Sequence, residues 1–219
     1  MGKMRLSRSD VRWLKSSFPN LSYNAETQKI EGELDFCAAF NRRSGKLQFG
    51  SDPTARTLYT YLCDIFEIEI HLGLGTVLKN GWPKVYEIGG RHTEIAGKNN
   101  VEPIDLHFFD DGACCLGIGY AREKNLTIER FLYQWVIPFF YRLAYTDKYG
   151  ITAAQTNLWG EYSHGDQGLA EHVAQMVRFA QSGLGKDSPC PCGSRIKFKR
   201  CCQGEVNEVM SRLSPFIQH

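Results

Sequence analysis

Four cysteines lie within thirteen residues near the end of the chain, in the segment CPCGSRIKFKRCC. One residue separates Cys190 from Cys192, eight residues separate the two pairs, and Cys201 directly precedes Cys202. Four thiolates in so short a segment converge most simply on one tetrahedral Zn²⁺ ion. We therefore predict a structural zinc site. Its four protein ligands leave no open position for catalysis, and the metal takes the place of a hydrophobic core.

The segment SGLGKDSP, at residues 182–189, has the composition of a linker and directly precedes these cysteines. It divides the chain into a large domain, residues 1–183, and a small zinc module, residues 184–219. With 219 residues, of which 42% are hydrophobic, the chain can build one substantial core. Four basic residues in the module either balance the charge of a Zn(Cys)₄ centre or contact phosphate: Arg195, Lys197, Lys199 and Arg200.

The net charge of +2 predicts neither a nucleic-acid-coating protein nor an acidic tail, so nucleic acid is not an expected partner. The first residues, MGKMRLSRSD, contain no apolar stretch of the signal-peptide type. No segment approaches the roughly 18 apolar residues that a membrane span needs. We expect a cytoplasmic protein without membrane contact, in which Cys37 and Cys63 are small core side chains and not a disulfide.

The first half of the chain predicts a helix followed by an antiparallel sheet. Ser7 and Asp10 form a capping box, and apolar residues then recur at helical spacing as far as Phe18. Between residues 28 and 88 the apolar residues alternate with polar ones, as in IEGELDF and FEIEIHL. Short turn-rich pieces separate these runs, among them Lys79-Asn80-Gly81. Successive strands of this kind form a meander with one buried face.

The second half predicts a long irregular segment followed by helices. Residues 89–125 have no sustained periodicity and contain several glycines. An apolar stripe then runs from Ile128 to Leu143, with Thr127 as its cap and Pro138 as the expected point of kinking or division. A further helix runs from about Asp166 to Ser182-Gly183. These elements define an α+β fold.

The irregular segment contains HFFDDGACCLG, residues 107–117, in which two adjacent cysteines follow an Asp-Asp-Gly turn. Three roles remain open for Cys115: a loop nucleophile, a non-catalytic buried thiol, and half of a redox pair with Cys114. His107 shapes the loop through a structural hydrogen bond or takes part in proton transfer. The same two alternatives apply to His164 in WGEYSHG.

The cysteine-rich tail resembles the SEC-C motif, Cys-x-Cys-x8-Cys-His/Cys, of the SecA translocation ATPase and other bacterial proteins. The neighbouring residues Pro191, Gly193 and Ser194 are also similar to that motif. Cys202 stands where SecA has histidine. The resemblance covers residues 188–204 and implies a zinc-bound module that docks onto a protein partner.

The remainder of the chain resembles prokaryotic ubiquitin-conjugating (UBC-like) proteins. The segments FEIEIHL (66–72) and WPKVYEIGGR (82–91) are similar to the third and fourth strands of that family. HFFDDGACCLG is similar to its active-site segment and LTIERFL (126–132) to its next helix. The resemblance implies a UBC-like fold with a first helix, an antiparallel meander, an active-site loop and later helices.

By this resemblance Cys115 is the thioester-forming residue, and Cys114 occupies a position that is usually apolar. His107 and His164 are implied as helpers at the site, and the amide of Gly112 as one donor to the reacting carbonyl oxygen. Many eukaryotic members carry His-Pro-Asn before the cysteine, and the asparagine supports the oxyanion. Here the sequence reads His107-Phe108-Phe109, so the position of the asparagine is not filled.

The implied activity is transfer of a protein's carboxyl terminus to a target amine through a Cys115 thioester, in bacterial antiphage defence such as CBASS. The implied partners are a modifier with an exposed terminal glycine, either ubiquitin-like or a cGAS-like nucleotidyltransferase, an activating enzyme, and a protein bound by the SEC-C tail. Because the chain ends in SPFIQH, we expect the carrier and not the modifier. The alternative is a non-enzymatic adaptor with an inactive UBC fold and a zinc-dependent docking tail.

Overall fold

A computed structural model describes residues 6–42, 46–50, 59–75, 82–116, 126–155, 165–191 and 197–217. Three sequence predictions fall outside these ranges: Cys192 as a ligand, His164 as a helper, and the turn at Lys79–Gly81. The chain divides into two compact units, Met1–Glu161 and Tyr162–His219. Each unit has its own cluster of buried apolar side chains. The fold is therefore mixed α and β, as predicted.

The first unit begins with helix α1 (Arg8–Ser17), and its start confirms the predicted capping box. The hydroxyl of Ser7 accepts the backbone N–H of Asp10 at 3.1 Å, and the carboxylate of Asp10 accepts the N–H of Ser7 at 2.8 Å. Two N–H groups that the helix itself leaves unpaired are satisfied in this way. Leu14 is the fully buried residue of the helix, and Phe18 ends it.

Five antiparallel strands form the sheet of this unit: β1 (Leu21–Asn24), β2 (Lys29–Asn41), β3 (Lys46–Phe49), β4 (Tyr59–Gly75) and β5 (Trp82–Glu87). The spatial order is β1-β2-β4-β5. Strand β3 pairs with the far end of β2, on the edge that β1 also occupies. Strand β2 is paired along its whole length with β4. The predicted antiparallel sheet is confirmed, but it is not a simple meander, because β2 pairs with β4 and β3 lies on the other side of β2. The sequence analysis also missed the short strand β1.

The alternating pattern of β2 separates a buried face from an outer one. Leu34, Phe36 and Ala38 point into the core, whereas Cys37 lies between them on the opposite face. Cys37 is directly opposite Cys63 of β4, and the two form a disulfide. The prediction that these cysteines are small core side chains is therefore wrong. Cys63 is exposed and Cys37 is half-buried, so the disulfide cross-links β2 and β4 on the outer surface of the sheet.

The segment after β5 is more ordered than the sequence indicated. Helix α2 (Arg91–Asn99) follows the strand, and a short 3₁₀ helix spans Pro103–Leu106. Only two residues of α2 are fully buried, Ile95 and Ala96, which is too few to produce a visible apolar stripe. Arg91, the N-terminal residue of α2, forms an ion pair with Asp64 of β4 at 2.7 Å. This ion pair, in addition to the two buried apolar residues, holds α2 against the sheet.

A long helical stretch covers the buried face of the sheet, as the apolar stripe predicted. It comprises α3 (Ile128–Phe131), a π-helical turn (Leu132–Val136) and α4 (Ile137–Tyr149). Pro138 lies in the first turn of α4, so the expected division occurs just before the proline, where a missing N–H costs nothing. Phe140 of α4 packs against Phe66 of β4 with ring centroids 4.9 Å apart. A one-turn helix, α5 (Ile151–Gln155), follows.

The second unit contains α6 (Gly165–Gln181), a 3₁₀ turn (Phe198–Arg200) and α7 (Gln203–Ile217). The predicted end of α6 is confirmed, since Gly183 follows it with a positive φ of 63°. The boundary predicted at 183/184 does not coincide with this division. Helix α6 packs against α7, and Met176 belongs to the same buried cluster as Cys190 and Cys202.

Within the described ranges, no helix combines the length and the apolar character that crossing a membrane requires.

Candidate functional site

Three cysteines of the second unit form a compact cluster of sulfur atoms. The Sγ atoms of Cys190, Cys201 and Cys202 all lie within 4.8 Å of one another. The Sγ atoms of Cys201 and Cys202 are 3.8 Å apart. Thiolates at such distances repel one another strongly unless a cation lies between them. The arrangement of the three sulfur atoms is suited to holding a metal ion.

Pairing between the two arms of the tail brings these cysteines together. Residues 188–189, before Cys190, pair in antiparallel fashion with residues 197–198. Pro189 forms a β-bridge with Lys197, and the N–H of Phe198 donates to the carbonyl of Ser188 at 2.8 Å. The 3₁₀ turn then places Cys201 and Cys202 beside Cys190. The carbonyl of Cys202 accepts the N–H of Val206 at 2.9 Å, so Cys202 directly precedes α7. The positive end of that helix favours the negative charge of the thiolates.

Two of the four basic residues of the tail are already paired with an acid. Asp187 accepts Lys199 at 2.8 Å and Lys197 at 3.2 Å. The hydrogen bond from Lys199 and, to a smaller extent, the one from Lys197 hold the pKa of the exposed Asp187 carboxyl below its ordinary value. These two cations therefore share one local counter-charge.

The second site is the loop that carries Cys114 and Cys115, which we call the cysteine loop (His107–Leu116). It lies along β5: Tyr86 bridges Ala113, and the N–H of Cys114 donates to the carbonyl of Val85 at 2.7 Å. The ammonium of Lys84 contacts the carboxylate of Asp111 at 2.5 Å. Backbone pairing and an ion pair thus fix the loop to the sheet edge.

The predicted turn at the tip of the loop is confirmed. The carboxylate of Asp111 accepts the N–H of Ala113 at 3.1 Å, and Gly112 has a positive φ of 78° that favours glycine. The N–H of Gly112 donates to the carbonyl of Phe109 at 2.8 Å. The amide of Gly112, expected to donate to a reacting carbonyl, is therefore already engaged in the turn.

The two adjacent thiols have different surroundings. Cys114 is 5% exposed and belongs to the core, whereas Cys115 is half-buried. Burial raises the pKa of the Cys114 thiol well above its ordinary value, and the nearby charge of Glu87 adds a smaller effect in the same direction. Cys114 is therefore a neutral, covered side chain at ordinary pH. Of this pair, Cys115 is the residue that is partly exposed.

His107 lies at the base of the cysteine loop in the left-handed region, with φ of 65°. Its imidazole is buried, and its carbonyl accepts the N–H of Cys115 at 2.7 Å. His107 thus contributes a backbone hydrogen bond to the loop. The structure brings His107 and Cys115 together, while His164 and Cys192 lie outside the described residues.

Sequence reasoning missed a buried acid–histidine pair beneath the loop. Glu87, the last residue of β5, accepts the backbone N–H of His92 at 3.1 Å and contacts Nδ1 of the same residue at 2.5 Å. The side chain of Glu87 is completely covered. A charged residue at an inward-facing strand position was the available signal, because such residues are rarely buried without a partner.

Comparison with known proteins identifies the tail. Residues 188–204 match the SEC-C motif, so the sulfur cluster lies in a known type of metal-binding sequence. The protein translocase subunit SecA 1 of Rhodopirellula baltica (strain DSM 10527 / NCIMB 13988 / SH1) is 45% identical over 38 residues. This match covers 17% of the chain and 3% of that relative. No solved structure matches the chain.

Proposed function

We propose that the first unit is a protein-conjugating transferase in which Cys115 carries an acyl group as a thioester. The observation that carries this proposal is the contrast between the two loop thiols. Cys115 is partly open to solvent on a loop fixed to the sheet edge, while Cys114 beside it is covered and neutral. A single reachable thiol on a rigid support is what a transferase of this kind needs.

The order of elements supports the UBC-like resemblance. A first helix, an antiparallel sheet, a cysteine loop and a set of covering helices follow one another along the chain, in the order that the resemblance implies. Strand β3 departs from the implied meander, because it pairs with β2 and not with β4. Helix α2, between β5 and the loop, is an addition to the expected order. Support for the UBC-like fold therefore comes from topology and from the quoted motifs together.

The proposed chemistry is two acyl transfers. In the first, the sulfur of Cys115 attacks the thioester carbonyl of a modifier bound to an activating enzyme. A new carbon–sulfur bond forms and the thiolate of that enzyme leaves. In the second, a target amine attacks the Cys115 thioester, an amide forms, the Cys115 thiolate leaves, and solvent takes the extra proton of nitrogen. Thioesters suit this task because thiolates leave readily when nitrogen attacks.

The modifier is a protein with an exposed terminal glycine, ubiquitin-like or a cGAS-like nucleotidyltransferase, and the setting is cytoplasmic antiphage defence of the CBASS type. These assignments rest on the family resemblance. The test combines purified protein with glycine-terminated proteins encoded beside its gene, an activating enzyme and ATP. Cys115→Lys should form an isopeptide adduct that survives thiols, because lysine replaces the thioester with an amide.

Cys114→Ala is the matched control, since the resembling family carries an apolar residue there. It should retain a thiol-sensitive adduct at close to the wild-type yield, whereas Cys115→Ala should form none. Adducts of equal yield in Cys115→Ala would rule out the proposed nucleophile. Iodoacetamide offers a first check that needs none of the proteins encoded beside the gene. Rapid labelling of Cys115 near neutral pH supports the transferase.

A non-enzymatic adaptor is the second candidate, and one observation favours it. Phe108, which stands where the family has the proline of His-Pro-Asn, is 2% exposed and stacks on His92. Phe109 follows in place of the asparagine, so neither residue supplies an amide to the oxyanion. In an adaptor the loop would be a structural element, and Cys115 would resist iodoacetamide in the folded protein.

We propose further that the metal of the SEC-C motif is Zn²⁺, with Cys192 as the fourth ligand. Zinc–sulfur bonds of about 2.3 Å in a tetrahedral site hold sulfur atoms about 3.8 Å apart. The Sγ separation of 3.8 Å between Cys201 and Cys202 agrees with this geometry. Four ligands leave zinc with a structural role, and the module would dock onto a protein partner. Metal analysis should find one zinc per chain, and Cys192→Ser should lower zinc affinity.

A further inference from the structure

Glu87 is a buried acid with one oxygen that lacks a hydrogen bond. Its side chain is fully covered, and Oε2 receives both contacts from His92. Among the described residues, Oε1 has no hydrogen-bond partner. Buried carboxylate oxygens are costly to leave unpaired, so retaining an acid here calls for a function. The nearest elements are α2, which carries His92, and the cysteine loop.

The backbone next to Glu87 is shaped around this oxygen. A Cβ atom added to Gly89 would lie 2.9 Å from Oε1 of Glu87 and 3.3 Å from Cβ of Glu67. A side chain at position 89 would therefore require Oε1 of Glu87 to move, so Gly89 leaves the carboxylate room for its present position.

His92 connects this acid to the cysteine loop. Its ring stacks on the ring of Phe108, with centroids 4.6 Å apart and an angle of 29° between the planes. Phe108 bridges Cys114 across the base of the loop and contacts Phe139 of α4, with centroids 5.3 Å apart. The contacts thus run from Glu87 through His92 and Phe108 to the residue that directly precedes Cys115.

We infer that Glu87 and His92 are positioning residues for Cys115. The buried carboxylate fixes the imidazole, the imidazole holds Phe108, and Phe108 keeps Cys114 covered while Cys115 remains at the surface. A role of this arrangement in acyl transfer rests on the proposed transferase function. The positioning of the two thiols is independent of that function, because it concerns only which of the two adjacent cysteines the loop exposes.

The test measures labelling of Cys114 and Cys115 separately, by iodoacetamide treatment and peptide mass spectrometry. His92→Ala removes the ring that holds Phe108 and should raise the labelling rate of Cys114 at least tenfold. His92→Phe supplies a ring for Phe108 but lacks the Nδ1 that Glu87 contacts, so it should return only part of the protection. Thr127→Ala is the control, because it removes the cap of α3 without touching the loop, and Cys114 should stay protected.

Glu87 is tested through its dependence on His92. Glu87→Ala should raise Cys114 labelling in the wild-type background but add little in the His92→Ala background, because both changes break the same chain of contacts. Glu87→Gln keeps an oxygen for the backbone N–H of His92 and should fall between wild type and Glu87→Ala. Independent, additive effects of the two alanine variants would overturn the inference, as would full protection of Cys114 in His92→Ala.

A second readout separates this inference from the proposed function. A peptide thioester of glycine with mercaptoethanesulfonate serves as acyl donor, and acylation of Cys115 releases mercaptoethanesulfonate. His92→Ala should lower the rate of acylation about tenfold. If the wild-type protein accepts no acyl group but His92→Ala still exposes Cys114, positioning stands and the transferase fails. If acylation is rapid and equal in all variants and Cys114 stays covered, the transferase stands and the positioning inference fails.

Discussion

Metal removal should unfold the second unit and leave the first one intact. In the described part of the second unit, the buried cluster has five fully buried members: Met176, Cys190, Phe198, Cys202 and Val206. Two of these five are cysteines of the candidate metal site. Burying an apolar side chain contributes about 1.5 to 3 kcal/mol. The three that are not cysteines therefore contribute roughly 5 to 9 kcal/mol. A structural zinc site contributes about 10 to 16 kcal/mol at neutral pH, so the metal stabilises this unit more than its apolar side chains do.

The assay is circular dichroism of the full chain during titration with a strong chelator. Loss of the metal should remove most of the helical signal of α6 and α7, which have 17 and 15 residues. The described part of the first unit has 28 residues in its core cluster, so this unit should keep its own cooperative thermal transition. Cys202→Ser should reproduce the effect without chelator, and Cys115→Ser should not. A helical signal unchanged by complete metal removal would refute the reasoning.

Three further predictions concern the first unit. Lys84 holds the pKa of Asp111 below its ordinary value of 3.8, so this pair contributes stability above that pH, and the contribution is lost as the pH falls through the lowered pKa. The protection of the loop amides against hydrogen exchange, relative to the intrinsic rate at each pH, should fall in that acidic range, and Lys84→Ala should abolish this pH dependence. Phe140→Ala should lower the free energy of unfolding by about 3 to 5 kcal/mol, measured by urea denaturation, because the ring is fully buried. The Cys37–Cys63 disulfide should be reduced by dithiothreitol without unfolding, as shown by alkylation of both residues, because Cys63 lines an open groove of about 550 Å³.

Where local sequence determines local structure, the predictions from sequence were correct. The capping box at Ser7 depends on residues three apart, and the alternation of β2 depends on which residues face the core. The apolar stripe from Ile128 to Leu143 gave the covering helices for the same reason. Helix α2 was missed because its docking depends on Arg91 and two buried apolar residues, which leave no periodic pattern.

The error on Cys37 and Cys63 has a different cause. Phe36 faces the core, and successive strand residues face opposite sides, so the position of Cys37 on the outer face was available from the alternation. Its pairing with Cys63 was not, because that depends on the register between β2 and β4 across a long connection. The contact between Glu87 and His92 likewise depends on how the chain turns after β5, which no local pattern specifies.

The sequence contains the pair Cys-Cys twice, and the two pairs have opposite chemical properties. In the cysteine loop, Cys114 is buried beside Glu87, so the thiol stays neutral and only Cys115 is open to solvent. In the tail, the sulfur atoms of Cys201 and Cys202 lie within 4.8 Å of that of Cys190, an arrangement in which three thiolates can share one cation. Adjacency in sequence does not decide between these outcomes. The difference comes from the surroundings: burial, to which the charge of Glu87 adds, in the loop, and a further sulfur in the tail. Neutralising Glu87 should therefore affect the loop pair, and leave the metal affinity of the tail unchanged.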